Sequence, residues 1–254
     1  MADNIELKNN LMSFRETFRE YTDYYTVIGG TACMILMEEA NRDFRATKDI
    51  DMILIMEDGG REFCEIFWEY ILRGKYTCGW KGSEPHYYRF TEPLPGFPSQ
   101  IELFSRRADF ELDSRIIPVH IDDDVSSLSA IALDEDFYAF MKEGRRVVDD
   151  ISILGTEYII PFKMYAWLNN TDLKKRGEKV NSDDIKKHKN DVFRLLPLIN
   201  PDVKIQTGGN VRGTVFLLLR RWGRKLLLMN FSLTGEQKKM HWIYSEKYTC
   251  EKRY

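Results

Sequence analysis

The spacing of apolar residues in the first thirty positions changes from that of a helix to that of a strand. Apolar side chains first recur at steps of three and four, the spacing of an amphipathic helix, at Leu11, Phe14, Phe18, Tyr21 and Tyr25. A short β-branched run over 25–29 then predicts a strand that stops at the pair Gly29–Gly30. The apolar stretch 31–40 after the glycines predicts a mostly buried helix.

The middle of the chain carries further strand patterns separated by turn residues. β-Branched and aromatic runs predict strands over 49–56, 86–92, 99–105 and 116–122. Amphipathic helices are predicted over 60–74, between glycines, and over 134–144. Mixed elements of this kind predict an α/β (α+β) catalytic domain over 1–150.

The last hundred residues favour helices. The segment 148–155 is consistent with a short strand or a linker, and a helix is predicted from 156, with Pro161 near its first turn. Ser182 is predicted to cap a second helix that ends at Pro197. The remainder is predicted to be mostly helical, so 151–254 is assigned to a helical domain that completes the site.

Charge is distributed unevenly although the net charge is only −3. Residues 1–159 hold 17 Lys and Arg against 31 Asp and Glu, while residues 160–254 hold 20 against 9. This distribution suits metal ligands in residues 1–159 and contact with a polyanion in residues 160–254. Solvation of the surface of each half explains it equally well.

The sequence predicts a cytoplasmic protein, because it shows no pattern of a signal peptide, a membrane span or paired cysteines. The polar N-terminus does not resemble a signal peptide, and the most apolar late run is cut by Arg220 and Arg221, well short of the roughly 20 residues of a membrane span. The four cysteines form no CxxC pair, which argues against a zinc site and for a reducing cytoplasm, with Cys33 in the core.

Three short motifs carry candidate chemistry. Gly29, Gly30 and Thr31 stand between a strand and a helix, where glycines let a phosphate approach the backbone and the helix N-terminus favours an anion. Asp49 and Asp51 are two apart in a strand, so their carboxylates share one face and can hold divalent cations. Taken alone, the glycine pair also fits an ordinary tight turn, and the aspartate pair also fits a solvated strand face.

A third carboxylate lies further along. Glu102 stands between apolar neighbours in a predicted strand, and it completes a triad if that strand lies beside the one carrying Asp51. It could then bind a metal ion and help to deprotonate an acceptor hydroxyl. Taken alone, Glu102 also fits an exposed strand position.

The order glycine turn, helix, D-h-D strand and later h-E-h strand resembles the polymerase-β-like nucleotidyltransferase superfamily. The 18 residues between Gly30 and Asp49 form a longer spacer than is usual there, which predicts an extended helix-to-strand loop. Within that superfamily, the Gly-Gly-Thr-Ala opening and the R-x-T-x-D-h-D run resemble the AbiEii-type nucleotidyltransferases of abortive-infection and toxin–antitoxin systems. The similarity covers roughly residues 25–200 and extends to Lys163–Ala166 and Lys189–Asp191.

The resemblance implies a fold, an activity and further site residues. It implies a mixed sheet with flanking helices, and an enzyme that uses Mg²⁺ or Mn²⁺ to move a nucleoside monophosphate from an NTP to an acceptor hydroxyl. It implies transfer RNA as the acceptor and a cognate antitoxin as a partner. Arg45 and Lys48 could contact phosphates or simply solvate the loop. Lys163 could neutralise the triphosphate, and Asp191 could orient Lys163 or complete the nucleotide pocket. An i,i+4 pair between Lys187 and Asp191 is the structural alternative.

Two other functions fit the same residues. One is a nucleotidyltransferase acting on a small molecule or a protein side chain, and the other is a catalytically silent nucleotide-binding regulatory module. The remaining candidates are weaker: the four histidines share no ligand spacing, Asp122–Asp124 lacks the rest of a calcium loop, and the aromatics Tyr87, Tyr88 and Phe90 suit the core better than base stacking.

Overall fold

The computed structural model describes residues 2–55, 61–81, 84–105, 135–200, 202–222 and 231–233. Seven α-helices lie within these ranges, α1 Ala2–Phe18, α2 Gly29–Glu39, α3 Arg61–Arg73, α4 Glu135–Glu143, α5 Thr156–Lys175, α6 Ser182–Leu195 and α7 Gly209–Trp222. The strands are β1 Tyr25–Ile28, β2 Asp49–Leu54, β3 Thr77–Lys81, β4 Glu84–Thr91, β5 Gln100–Ser105, β6 Arg145–Val148, β7 Ile151–Leu154, β8 Ile205–Thr207 and β9 Phe231–Leu233.

Seven of these strands form one mixed sheet in the order β3-β4-β5-β2-β1-β7-β6. β2 is antiparallel to β1 and parallel to β5, and β7 is parallel to β1. The predicted α/β class is therefore confirmed at the level of a mixed sheet with helices. β8 and β9 form a separate parallel pair.

The strand directions bring several chain segments to one end of the sheet. β1 and β7 end there, β2 and β5 begin there, and the helices α2 and α5 start immediately after β1 and β7. β2 shows the consequence for burial: Asp49 is exposed and Asp51 half-buried, while every residue from Met52 to Leu54 is buried. Polar positions are therefore tolerated only at this end of the strand.

An aromatic cluster anchors the N-terminal helix to the sheet. Phe14 and Phe18 of α1 are fully buried and make edge-on contacts with Tyr25 of β1 and Tyr70 of α3. The predicted helix therefore exists, but Tyr25 belongs to β1. Its place in the helical spacing was accidental, because the chain leaves the helix at a short 3₁₀ turn, Arg19–Tyr21.

Several other expectations need correction. Of the two possibilities for 148–155, the short strand is confirmed, because β7 pairs with β1 and β6 in the main sheet. The assigned boundary at residue 150 falls inside the β6–β7 hairpin. Pro161 lies in the second turn of α5, because that helix already begins at Thr156. The side chain of Asn181 caps α6 by accepting from the Asp183 amide, so Ser182 is the first helical residue rather than the cap.

The remaining predictions either are confirmed or concern residues outside the described ranges. The long loop before Asp49 is present, because α2 ends at Glu39 and β2 begins at Asp49. Cys33 and Phe90 are core residues without measurable exposure. The strand expected at 116–122, the cluster Asp122–Asp124 and the residues His120 and His241 lie outside the described residues, as do the side chains of His86, Tyr87 and Tyr88. No described helix is long and apolar enough to cross a membrane.

Candidate functional site

The three predicted carboxylates lie on neighbouring strands at the polar end of the sheet. In the parallel pairing of β2 with β5, Asp49 is opposite Gln100 and Asp51 is opposite Glu102. Side chains that are opposite in register point to the same face, about 5 Å apart between neighbouring strands. Asp49 shares that face because it precedes Asp51 by two residues. The structure thus brings Asp49, Asp51 and Glu102 together.

Charge repulsion and burial leave these acids in an unfavourable environment. Burial, followed by the nearby Glu102 carboxylate, raises the pKa of Asp51 to about 7, although Lys163 and Arg89 oppose the rise. Burial also raises the pKa of Glu102, which is only 8% exposed, against the effect of Arg89. Neighbouring carboxylates with raised pKa values are a feature of sites that bind cations or move protons.

Asp49 completes this face in a more solvated position. The residue as a whole is exposed, yet partial desolvation of its carboxyl group raises its pKa, and the nearby cations Lys187, Arg45 and Arg89 lower it. Its backbone carbonyl accepts a hydrogen bond of 2.5 Å from the buried hydroxyl of Thr31. Thr31 therefore fixes the glycine turn against the first acidic residue of β2.

The glycine turn is pressed directly against the acidic pair. Gly29 has a φ of +70°, and a Cβ added to it would lie 1.9 Å from Asp51 Oδ2. The same addition at Gly30 would meet Thr47 Oγ1 at 2.8 Å and the Arg45 guanidinium at 3.1 Å. Both glycines are required by close approach, so the first turn of α2, whose N–H groups have no partner within the helix, lies directly against Asp51, Thr47 and Arg45.

A second group of charged residues lies behind the turn. Asp191 of α6 is fully buried and accepts from Arg45 through Nε at 3.2 Å and Nη2 at 2.9 Å, and from Lys163 Nζ at 3.0 Å. Arg194 Nη1 lies 3.7 Å from the same carboxylate. Burial alone would raise the pKa of Asp191, but Lys163 and Arg45 hold it below its ordinary value.

This network joins three distant parts of the sequence. Lys163 is 4% exposed, and its charge acts on both Asp191 and Asp51, so it connects the two groups of residues. Asp191 orients Lys163, which is one of the two roles considered for it. The alternative helical pair is wrong, because Lys187 bonds Asp184 at 3.3 Å.

Lys48 lies apart from both groups. It is exposed, and with Thr31 and Thr47 it lines a small depression between α1, α2 and β2. Its backbone carbonyl accepts from the Ser99 amide, which ties the loop before β2 to the start of β5. The structure therefore places Lys48 beside the glycine turn rather than over the carboxylates.

Sequence reasoning missed several charged residues at the site. Arg89 of β4 donates through Nε to Glu102 Oε1, and Gln100 Nε2 donates to the same oxygen at 3.1 Å. Lys187 acts on Asp49, and Arg194 acts on Asp191. Arg89 falls within the strand predicted over 86–92, but only the register of β4 with β5 shows that it is opposite Glu102.

Whether these residues suit a divalent cation can be judged from their chemistry. Among the described residues, no three His, Cys, Asp or Glu side chains lie close enough to form a complete metal cage. Mg²⁺ is usually held by one or two carboxylates together with substrate phosphates and water, not by an all-protein cage. Asp51 and Glu102 are opposite each other in the β2–β5 pair and could supply such a pair of carboxylates, with Asp51 Oδ2 packed against Gly29.

The site as a whole combines an acidic face, a buried glycine turn at the start of α2, and the buried cation Lys163 with Arg45 beside that turn. Such a combination can bind the polyphosphate of a nucleotide together with a cation. Comparison with known proteins finds no matching family model, no matching curated protein and no matching solved structure.

Proposed function

We propose that this chain is a metal-dependent nucleotidyltransferase of the polymerase-β-like type, which moves a nucleoside monophosphate from an NTP to an acceptor hydroxyl. The observation that supports it best is the register of Ile28, Asp51 and Glu102 across three neighbouring strands, with Gly29 directly after Ile28. A glycine turn at a helix N-terminus beside a carboxylate pair supports the proposal, because transfer at a triphosphate requires contacts to phosphate and to a cation.

The reaction would exchange one phosphorus–oxygen bond for another. The acceptor oxygen forms a bond to the α-phosphorus of the NTP, the bond from that phosphorus to the bridging oxygen breaks, and pyrophosphate leaves. Asp51 and Glu102, with Asp49 beside them, would hold Mg²⁺ or Mn²⁺, which would neutralise negative charge during this exchange. Glu102, whose Oε1 accepts from Arg89 and Gln100, would take up the proton of the acceptor hydroxyl.

The leaving group would be stabilised on the glycine side of the site. The backbone amides at Gly29, Gly30 and Thr31 bind the phosphates, and the N-terminus of α2 favours their negative charge. Arg45 lies against Gly30, and Lys163 lies behind it, so both can offset charge that develops on pyrophosphate. Asp191 serves as the residue that positions these two cations.

The resemblance to AbiEii-type proteins supplies the rest of the proposal. The expected acceptor is the end of a transfer RNA, the setting is the cytoplasm, and the cellular role is growth inhibition under the control of an antitoxin. The surplus of Lys and Arg over Asp and Glu in residues 160–254 is consistent with an RNA partner.

The test is a transfer assay with each labelled NTP, Mg²⁺ and total RNA. We expect label in transfer RNA with the intact protein and its loss with Asp51→Asn, which removes one metal ligand at almost constant volume. Asp183→Asn is the matched control, because Asp183 is exposed on α6 and pairs only with Lys186 among the described residues. It should retain full activity.

Different results separate the rival functions. Label in protein or in a small molecule would move the acceptor away from RNA while keeping the enzyme. An NTP-dependent rise in the melting temperature without transfer to any acceptor would indicate a silent nucleotide-binding module. Equal activity of Asp51→Asn and Asp183→Asn would exclude the proposed site.

A further inference from the structure

One row of side chains crosses four strands at the site. Arg89 of β4 is opposite Glu102 of β5, Glu102 is opposite Asp51 of β2, and Asp51 is opposite Ile28 of β1, directly before Gly29. The row therefore runs from a cation, through two carboxylates, to the glycine turn. The carboxylates have a positive group on one flank and backbone amides on the other.

Arg89 has binding capacity beyond its bond to Glu102. Its Nε donates to Glu102 Oε1, which uses one of the five N–H donors of the guanidinium group. Its side chain is 47% exposed, whereas that of Glu102 is 11% exposed. A phosphate could thus bind the terminal nitrogens while the bond to Glu102 is kept, since guanidinium matches phosphate in a two-point contact.

The direction of the reaction decides which phosphate lies there. In an in-line displacement the attacking oxygen and the leaving group lie on opposite sides of the reacting phosphorus. If pyrophosphate lies at the glycine turn beside β1, the acceptor must approach from the side of β5 and β4. Arg89 lies on that side, next to the carboxylate that would receive the acceptor's proton.

We propose that Arg89 binds the phosphodiester adjacent to the reacting hydroxyl, and thereby selects the end of a nucleic-acid strand as the acceptor. This inference rests on the proposed function. The inference assigns Arg89 as a residue that determines which acceptor is used. An acceptor without a neighbouring phosphate, such as a protein side chain or a sugar, would leave the guanidinium group without its second partner, so a nucleic-acid end is preferred.

Equilibrium binding tests this contact without turnover. Fluorescence anisotropy measures the Kd of a labelled single-stranded RNA with a free terminal hydroxyl, in Mg²⁺ and without NTP. We expect Arg89→Gln to raise the Kd about tenfold, and to reduce the slope of log K against log salt by about 0.7, the value for one phosphate contact on a single strand. Arg89→Lys keeps the charge and should keep the slope.

A modified RNA makes the test specific to one phosphate. Replacement of the last phosphodiester by an uncharged methylphosphonate should weaken binding to the wild type about as much as Arg89→Gln does. The two changes together should cost no more than either alone. Arg19→Gln is the control, because Arg19 is 60% exposed on the turn after α1, away from the site.

Each alternative result contradicts the inference in its own way. If the wild type does not bind the RNA, or if Arg89→Gln changes neither Kd nor slope, Arg89 does not contact the acceptor. If Arg89→Gln weakens binding of the NTP instead, Arg89 lies on the side of the leaving group. Failure of the transfer assay with intact binding would refute the enzymatic proposal and leave the contact standing.

Discussion

The buried ion cluster at Asp191 makes a strong prediction about stability. Asp191→Asn keeps the volume and one acceptor oxygen, but it leaves Lys163 and Arg45 without a counter-charge. Lys163 is 4% exposed and Asp191 is fully buried, so water cannot replace the lost interaction. Removing one partner of a buried ion pair lowers the free energy of unfolding by about 3–5 kcal/mol. Because Asn keeps one acceptor oxygen, we expect a loss of about 3 kcal/mol for this variant.

Urea unfolding measures this cost. With a slope of about 3 kcal/mol per molar urea, a loss of about 3 kcal/mol lowers the midpoint by about 1 M. Asp172→Asn is the control, because Asp172 pairs with Arg221 at 3.1 Å and Lys175 at 3.3 Å on an exposed surface, where such pairs contribute about 1 kcal/mol or less.

The pH dependence provides a second check. The pKa of Asp191 is lowered in the folded protein, so its stabilising effect is present above its unfolded pKa of about 3.9 and is lost as the pH falls through the lower folded value. The difference between wild type and Asp191→Asn should therefore shrink in acid. A midpoint shift no larger than that of Asp172→Asn, or a difference that persists below this range, would refute the reasoning.

Three further predictions concern the carboxylates and the turn. Because the pKa of Asp51 is raised to about 7, its ionisation destabilises the metal-free fold as the pH rises from about 4 through 7. Melting curves should show this fall in the wild type and a smaller one in Asp51→Asn, which keeps Glu102 and Asp49 but melts higher at pH 8; an equal fall in both proteins would contradict the role given to Asp51. Gly29→Ala should abolish transfer by displacing Asp51. Its control is Gly177→Ala, at φ +91° with no atom within 4 Å of the added Cβ, which should lower the free energy of unfolding by only about 1 kcal/mol and keep activity. Equal effects of the two substitutions on transfer and on stability would show that the close approach at Gly29 is unimportant. Arg45→Lys loses the two-point bond to Asp191 and should lower the unfolding free energy by about 1–2 kcal/mol, and an unchanged urea midpoint would contradict this.

Local features of the site were accessible from sequence because they depend on neighbours in the chain. The strand–glycine–helix turn and the shared face of Asp49 and Asp51 follow from backbone geometry and the period of a strand. The position of Glu102 depended on a condition, that β5 lies beside β2. That condition is met by a parallel pairing between segments about fifty residues apart, which no local pattern specifies.

The errors also have local causes. Tyr25 continued the spacing of α1 by chance, since a strand residue can fall at a helical interval. Asn181 and Ser182 are both good caps, and the choice between them depends on where the backbone turns helical. Arg89 escaped notice because an arginine in a strand usually solvates an edge, and its role appears only when Glu102 is found opposite it.

The hairpin of β6 and β7 has a consequence for how this chain could evolve or be divided. β7 covers the flank of β1, and its last residue is separated from α5, which carries Lys163, by Gly155 alone. A fragment ending at residue 150 would keep the acidic strands but leave the backbone of β1 open to pairing with other molecules. We therefore expect the acidic half and the helical half to be inherited, expressed and lost as a single unit.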